Sequence, residues 1–303
     1  QKPKSKMTLL KYILKIIVNL HFLPGRLHQK LYFKKNHGYS PNLTKPNTLN
    51  EKIIFLKLYN KEIIHTTLAD KWAVKNYLKG IIDNKYLIPN LEISKHIKTI
   101  KFDQLIYPCV IKSNGGSGDF HLLKEKPKEL EIKKIYKKFS YGKYRSLYLE
   151  KKEWQYKNIP YKILVEPMLL DKNKNIPPDY KIHFFNGHPE FIYVTTGREK
   201  KTIRGVYDLE WNPLPFIWSK LDLNGKPIYE FDSSINKPKN LKEILELSSQ
   251  IAQLAKAPYV RIDLFNIDEE KIKFGEVTFH HMSGMAPIIP LDWDFKLGKR
   301  LVL

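Results

Sequence analysis

The residues of this sequence best placed to do chemistry are two carboxylates, Asp263 and Glu276, in the stretch YVRIDLFNIDEEKIKFGEVTF (residues 259–279). Tyr259–Asn266 and Lys271–Phe279 alternate apolar and polar residues, and the acidic turn Ile267–Glu270 separates them, so two paired strands are expected. The carboxylates lie at similar distances from the turn, and antiparallel pairing brings them together. A carboxylate inside a strand is costly unless it is exposed, paired or holding a cation. Two close carboxylates repel, and a divalent metal between them removes the repulsion. Arg261 falls two residues before Asp263 and is expected on the same face. A cation site beside a guanidinium suits phosphoryl transfer. The alternative is a hairpin with a solvated acidic face.

A second stretch, CVIKSNGGSGDFHLL (residues 109–123), reads as a strand over Cys109–Lys112, the glycine loop Asn114–Gly118 and a returning strand over Phe120–Leu123. Glycines let a backbone turn tightly and aim several N–H groups at one anion. No Gly-Lys-Ser/Thr follows, so this is not a Walker A loop. A strand rather than a helix follows, so it is not a dinucleotide fingerprint either. The spacing fits a flap over phosphates, with Lys112 at the strand end pointing to them.

The elements that must position these residues occupy a 303-residue chain, long enough for two domains or one large bilobed one. Its 53 Lys and Arg against 31 Asp and Glu leave a net charge of +22, which points to a polyanionic partner. Residues 1–50 hold nine Lys, one Arg and no acid. Met7–Leu23 is apolar on one side with Lys11 and Lys15 on the other. It is too short and too charged to span a bilayer but suited to an anionic membrane interface, helped by the basic residues through Lys35; packing on the protein's own core is the alternative. No small-residue cleavage site follows it, which argues against secretion. The single cysteine, Cys109, excludes an intrachain disulfide and reads as core.

Thr48 or Asn50 is expected to cap a helix starting near Glu51. Leu68–Lys79 reads as one helix with Lys71, Lys75 and Lys79 along one side, either a solvated face or a phosphate contact. Tyr86–Ile93 reads as a strand interrupted by Pro89, Glu129–Glu153 as a lysine-rich helix, and Tyr161–Leu170 as a strand. Asp179–Phe185 turns at Asn186-Gly187 into Glu190–Thr195. Asp179 and Lys181 share a face. Arg198 and Arg204 follow in a polar segment, and a helix is expected from about Leu241 to Lys256. Repeats, zinc-ligand spacing, a Ser-His-Asp signature and RNP-like or KH-like patterns are missing, so no nucleic-acid partner is expected.

Taken in order, these segments resemble the ATP-grasp superfamily and, within it, the TupA-like branch linked to teichuronopeptide and other surface-polysaccharide synthesis. The resemblance covers about residues 40–303. It rests on LNEKIIFLKLYN and LADKWAVKNY, then CVIKSNGGSGDFH, VEPML, PPDYKIHFFNG, YDLEWNPLPF, RIDLFN and FGEVTF. It implies an α+β, bilobed fold whose two mainly antiparallel sheets clamp a nucleotide, preceded by a basic helical segment. The divisions it suggests are 1–60 (basic segment), 61–106 (first part of the core), 107–165 (lid) and 166–303 (catalytic core with hinge and metal site).

The resemblance also implies ATP and Mg2+ as cofactors. Lys71, Lys112 and Lys181 would face phosphates, with Gly115, Gly116, Ser117 and Gly118 covering them. Glu166, Pro167 and Leu169 would hold adenine, and Asp179 a ribose hydroxyl. Asp263 and Glu276 would ligate the metal with Thr278, a weaker ligand standing where the superfamily often has Asn. Arg261 would stabilise the transferred phosphoryl group. The implied reaction is carboxylate–amine ligation through an acyl phosphate. It would join an amino acid or amine to a uronic-acid carboxylate in bacterial capsule, O-antigen or teichuronopeptide synthesis. The acceptor would be an acidic glycan or a nucleotide- or lipid-linked uronic acid, met in the cytoplasm at the inner membrane face. Arg198 and Arg204 are candidates for the substrate carboxylate. His280 or His281 would accept the amine proton, with Arg204 and His280 counted as catalytic. His281 and Ser283 belong to the closing loop HHMSGM, whose His280, His281 and Met282 depart from the branch and leave substrate identity open. A glycan kinase or glycosyltransferase-like enzyme and a non-enzymatic basic module are the rival readings.

Overall fold

The computed structural model describes residues 23–116, 118–142, 146–198 and 201–303. Residues 1–22, most of the expected interfacial segment, and Ser117 of the glycine loop lie outside the described residues. Among the described residues no helix is long and apolar enough to cross a membrane.

Two sheets dominate. The first contains β1 (Glu92–Ser94), β2 (Cys109–Ser113), β3 (Phe120–Leu123) and β4 (Ile163–Pro167) in the spatial order β1-β4-β2-β3. Its strand pairs are antiparallel. Cys109, Ile111 and Val165 on one face pack with Ile135 and Phe139 of the helix Glu129–Gly142. The second sheet draws on β5 (Asp179–Phe185), β6 (His188–Thr196), β7 (Ile203–Tyr207), β9 (Glu230–Phe231), β10 (Tyr259–Ile267) and β11 (Lys271–Thr278). Its order is β11-β10-β5-β6-β7-β9, antiparallel except for the β7–β9 pair. The short β8 (Ile217–Trp218) pairs instead with β12 (Ile288–Ile289).

Strand alternation divides the second sheet into an oily face and a charged one. Tyr180, Ile182, Val194, Ile262 and Leu264 pack in one core cluster with Ile244, Leu247 and Ile251 of the helix Leu241–Gln253. The intervening residues Asp179, Lys181, Arg261 and Asp263 therefore project from the other face.

Several elements differ from the sequence reading. The expected helix Leu68–Lys79 is two, Ile63–Ala69 and Ala73–Leu78. Asp70 separates them, its carboxylate accepting from the N–H groups of Trp72 (2.8 Å) and Ala73 (3.2 Å) and so restarting the chain in a new direction. The strand expected over Tyr86–Ile93 shrinks to Glu92–Ser94, beyond Pro89, which cannot donate to a ladder. Glu129–Glu153 is not continuous: a second short helix begins at Leu147 behind a Ser146 cap. Tyr161–Leu170 is a strand only over Ile163–Pro167.

The helix Leu49–Tyr59 starts with a full capping box, Thr48 accepting from the Glu51 N–H while Glu51 accepts from the Thr48 N–H. The last helix, Leu291–Arg300, is docked onto this start. Asp294 accepts from the backbone N–H (3.0 Å) and side-chain amide (2.9 Å) of Asn50. Gly298 lets the two backbones touch: a Cβ there would lie 2.1 Å from the Asn47 carbonyl oxygen. Gly298→Ala is therefore expected to cost roughly 1–3 kcal/mol of stability, read as a lower urea midpoint at unchanged slope. An unchanged midpoint would show that this helix docks loosely.

Candidate active site

A cleft of about 470 Å³ opens between the two sheets. The glycine hairpin roofs it. Gly118 takes a left-handed φ of 74°, and a Cβ on Gly116 would collide with the Ser113 Oγ at 2.2 Å. Gly115 turns away and lines a neighbouring pocket. Lys71, at the break between the two short helices, joins roof and floor. Its Nζ donates to the Gly116 carbonyl at 2.5 Å and stands 3.6 Å from Glu276 Oε2.

The back wall is β4 and the chain leaving it. Pro167, Met168 and Leu169 line the cleft, with Lys112 on the adjoining strand. Glu166 is buried and held by two ammonium groups, Lys75 at 2.5 Å and Lys112 at 2.6 Å. Burial opposes its charge, but the two lysines outweigh it and keep the carboxyl below its usual range. Lys75 is thus neither a solvated residue nor a phosphate contact. It is a buried counter-ion that also donates to the Ile88 carbonyl and the Asn90 side chain. Asn114 braces the hairpin by accepting from the Lys162 N–H (2.7 Å) and donating to the Pro160 carbonyl (3.0 Å).

The floor is β5, β10 and β11. Asp263 and Glu276 are directly paired across β10 and β11, and Asp263 faces Lys181 across β5. Arg261 spans both acids. Its Nε and NH2 donate to the two Asp263 oxygens at 2.6 and 2.7 Å, and NH2 also reaches Glu276 Oε1 (3.2 Å) and Thr278 Oγ1 (3.1 Å). NH1 donates to His281 Nδ1 at 2.5 Å. Burial lowers His281 well below its usual value, and Arg261 lowers it further, so it is a neutral acceptor. Lys181 pairs with Asp179 and lies 3.5 Å from Asp263. Arg198 also pairs with Asp179, whose carboxyl those two cations hold low against the effect of burial.

Residues expected in one site are therefore brought together: Lys71, Lys112, Gly116, Gly118, Glu166, Pro167, Leu169, Asp179, Lys181, Arg198, Arg261, Asp263 and Glu276 all line the cleft. Thr278 touches it through Arg261 and Glu276. Four residues expected near the substrate stand elsewhere. Arg204 lies among Tyr193 and Tyr229. His280 Nδ1 accepts from Gln155. His281 is enclosed behind Arg261, 1% exposed, and its remaining nitrogen Nε2 has no partner. Ser283 accepts from the buried Lys57 ammonium through its carbonyl (2.7 Å) and hydroxyl (2.8 Å). The sequence did not announce Lys57, the role of Lys75 as a buried counter-ion, or the role of His281 as a brace for Arg261. Each depends on contacts between distant segments, and no local pattern announces them.

The donor set fits a small divalent cation. Two carboxylates and a hydroxyl, from Asp263, Glu276 and Thr278, converge on the Arg261 NH2 group. Among the described residues no group of three or more His, Cys, Asp or Glu side chains converges as a metal cage. Mg2+ suits such a site, because it is commonly bound by one or two carboxylates together with substrate phosphates.

A two-sheet clamp with a glycine flap, basic walls and an Arg/Asp/Glu floor defines this chain as an ATP-grasp protein. Residues 51–302 match the family described as TupA-like ATPgrasp, and the chain belongs to that family. No curated protein matches it. It is similar in structure to D-alanine–D-alanine ligase from Bacillus anthracis complexed with ATP, at 16% identity and a TM-score of 0.43 over 70% of this chain and 55% of that one. It is also similar to L-amino acid ligase from Bacillus licheniformis, at 12% identity and a TM-score of 0.42 over 76% of this chain and 48% of that one. The chain spans about half the length of these solved structures.

The closing loop is also fixed from outside. His37 Nε2 lies 3.1 Å from the Gly284 carbonyl, and burial lowers this imidazole to about 4. Unfolded, it titrates near 6.5, so between those values the unfolded chain binds more protons and stability falls as pH drops. Lowering the pH from 7.5 to 5.5 is expected to remove roughly 1 kcal/mol through His37. His37→Gln should shrink the pH dependence of the urea midpoint by that amount. Equal pH dependence in the two proteins would mean that His37 titrates normally in the fold.

Proposed function

We propose that this chain is an ATP-dependent carboxylate–amine ligase that forms an amide through an acyl phosphate. The observation that carries the reading is the single cleft in which Lys71, Lys112 and Lys181 face the Arg261/Asp263/Glu276 floor beneath a glycine flap. Lysines and flap N–H groups neutralise and cover the phosphates. The segment after Glu166 receives adenine, the Pro167 carbonyl accepting from its amino group and the Leu169 N–H meeting a ring nitrogen, and Asp179 takes a ribose hydroxyl. Asp263 and Glu276, with Thr278, would hold Mg2+, which supplies charge neutralisation at the phosphates.

A substrate carboxylate oxygen attacks the γ-phosphorus, the bond to ADP breaks, and Arg261 stabilises the charge on the moving phosphoryl group. An amine nitrogen then attacks the acyl carbon. The C–N bond forms, the C–O bond to phosphate breaks, phosphate leaves, and the amine proton passes to solvent or to a base. Positioning and charge neutralisation are most of the protein's contribution.

The substrate assigned is a uronic-acid carboxylate in a bacterial surface glycan or its lipid- or nucleotide-linked precursor, joined to an amino acid or amine. The net charge of +22 supports an acidic acceptor. The helix Gly25–His37 carries Arg26, Lys30, Lys34 and a 46%-exposed Leu27, which suits peripheral contact with an anionic membrane. Co-sedimentation with phosphatidylglycerol vesicles should fall when Lys30 and Lys34 become Glu, and unaltered co-sedimentation removes this contact.

The deciding experiment screens uronic acids and uronic-acid glycans against amino compounds for ADP and phosphate release, with mass spectrometry for adducts formed by loss of water. ADP release with a phosphorylated glycan and no amide would make the protein a glycan kinase instead. Asp263→Asn is expected to abolish ADP formation with Mg2+. Substantial turnover in that variant would overturn the metal assignment.

A further inference from the structure

Arg204 does not belong to the nucleotide cleft, yet its surroundings are built for an anion. It pairs with Thr195, and Thr195 with Asp179, across β7, β6 and β5, so all three project from the charged face of the second sheet. The guanidinium carbon lies 3.3 Å from the centre of the Tyr229 ring, and NH1 donates to the Tyr193 hydroxyl at 3.0 Å. That hydroxyl donates in turn to the Trp218 carbonyl at 3.0 Å, and the Trp218 ring packs on His281 with ring centres 4.1 Å apart. The subsite is thereby tied to the closing loop and to Arg261 behind it.

Nothing acidic answers this cation. Among the described residues no carboxylate forms an ion pair with Arg204, nor with Lys220, two residues after Trp218, nor with Lys151. Burial lowers the Lys220 ammonium, and the charges of Lys151 and Arg204 lower it further, with no acid offsetting them. Two buried polar atoms also lack partners here, Arg204 Nε and the hydroxyl of the 1%-exposed Thr195 directly opposite. Unpartnered buried polar atoms are costly in a folded protein unless a ligand completes them.

Position decides which ligand group this is. From β10 to β7 the sheet crosses three inter-strand steps, about 14 Å, so Arg204 is rooted well away from Arg261 and the metal ligands.

We propose that Arg204, with Thr195 directly opposite, forms a second anion subsite, which binds a phosphate or second carboxylate carried by the acceptor substrate at a distance from its reacting carboxylate. The inference rests on the ligase reading for its placement of the reacting group. It makes the acceptor a molecule with at least two anionic groups, and it separates the work of the two arginines: Arg261 acts on the reacting phosphoryl group, and Arg204 fixes the substrate's other end.

The test is calorimetry on protein saturated with ADP and Mg2+, titrated in separate arms with glucose 1-phosphate, glucuronic acid and glucuronic acid 1-phosphate. Binding of the first identifies a phosphate site. Binding of glucuronic acid without glucose 1-phosphate identifies a carboxylate site. In either case Arg204→Gln should weaken the binding roughly tenfold and Thr195→Val by a smaller factor, while the ADP affinity stays the same. Full-strength binding in both variants, or no binding in any arm by a wild type that binds ADP, overturns the subsite and leaves the ligase reading standing. A wild type that does not bind ADP sinks the ligase reading itself.

Discussion

The buried guanidinium of Arg261 is the constraint on which the rest of the site depends. It binds both oxygens of Asp263, reaches Glu276 and Thr278, and is held from behind by His281. Two carboxylates on adjacent strands would otherwise repel in a place where burial already pushes the Asp263 carboxyl upward. Removing the cation would leave Asp263 with only Lys181 at 3.5 Å and Glu276 with only Lys71 at 3.6 Å, an undercompensated and costly cluster. The imidazole that braces it must be neutral, and its enclosure by Trp218, His183 and Tyr193 keeps it so.

The same economy of charge recurs along the cleft. Glu166 is shared by Lys75 and Lys112, and Asp179 by Lys181 and Arg198. Lys71, Lys112 and Lys181, read from the sequence as phosphate contacts, each meet a protein acceptor: the Gly116 carbonyl, Glu166 and Asp179. The sheet makes this possible: alternation gives one face to the helix Leu241–Gln253 and leaves the other free for charge.

How much of this was legible in the sequence follows from where the information resides. The Asp263/Glu276 pair could be read because two alternating segments and a short turn fix register locally, and the observed pairing joins those two residues. The glycine hairpin was legible for the same reason. The break at Asp70 was not, because LADKWAVK carries good helical spacing and the competing side-chain bonds to Trp72 and Ala73 leave no periodic trace. Lys75 looked like a surface lysine because its partner, Glu166, is ninety-one residues away. The closing loop offered two histidines as bases, but burial removed both from the cleft, and one of them serves an arginine instead.

The Lys71 side chain couples the two halves of the clamp. One ammonium touches the carbonyl of Gly116 above and faces Glu276 below. One side chain thereby sets the height of the glycine hairpin above the β10–β11 floor, and with it the width of the cleft.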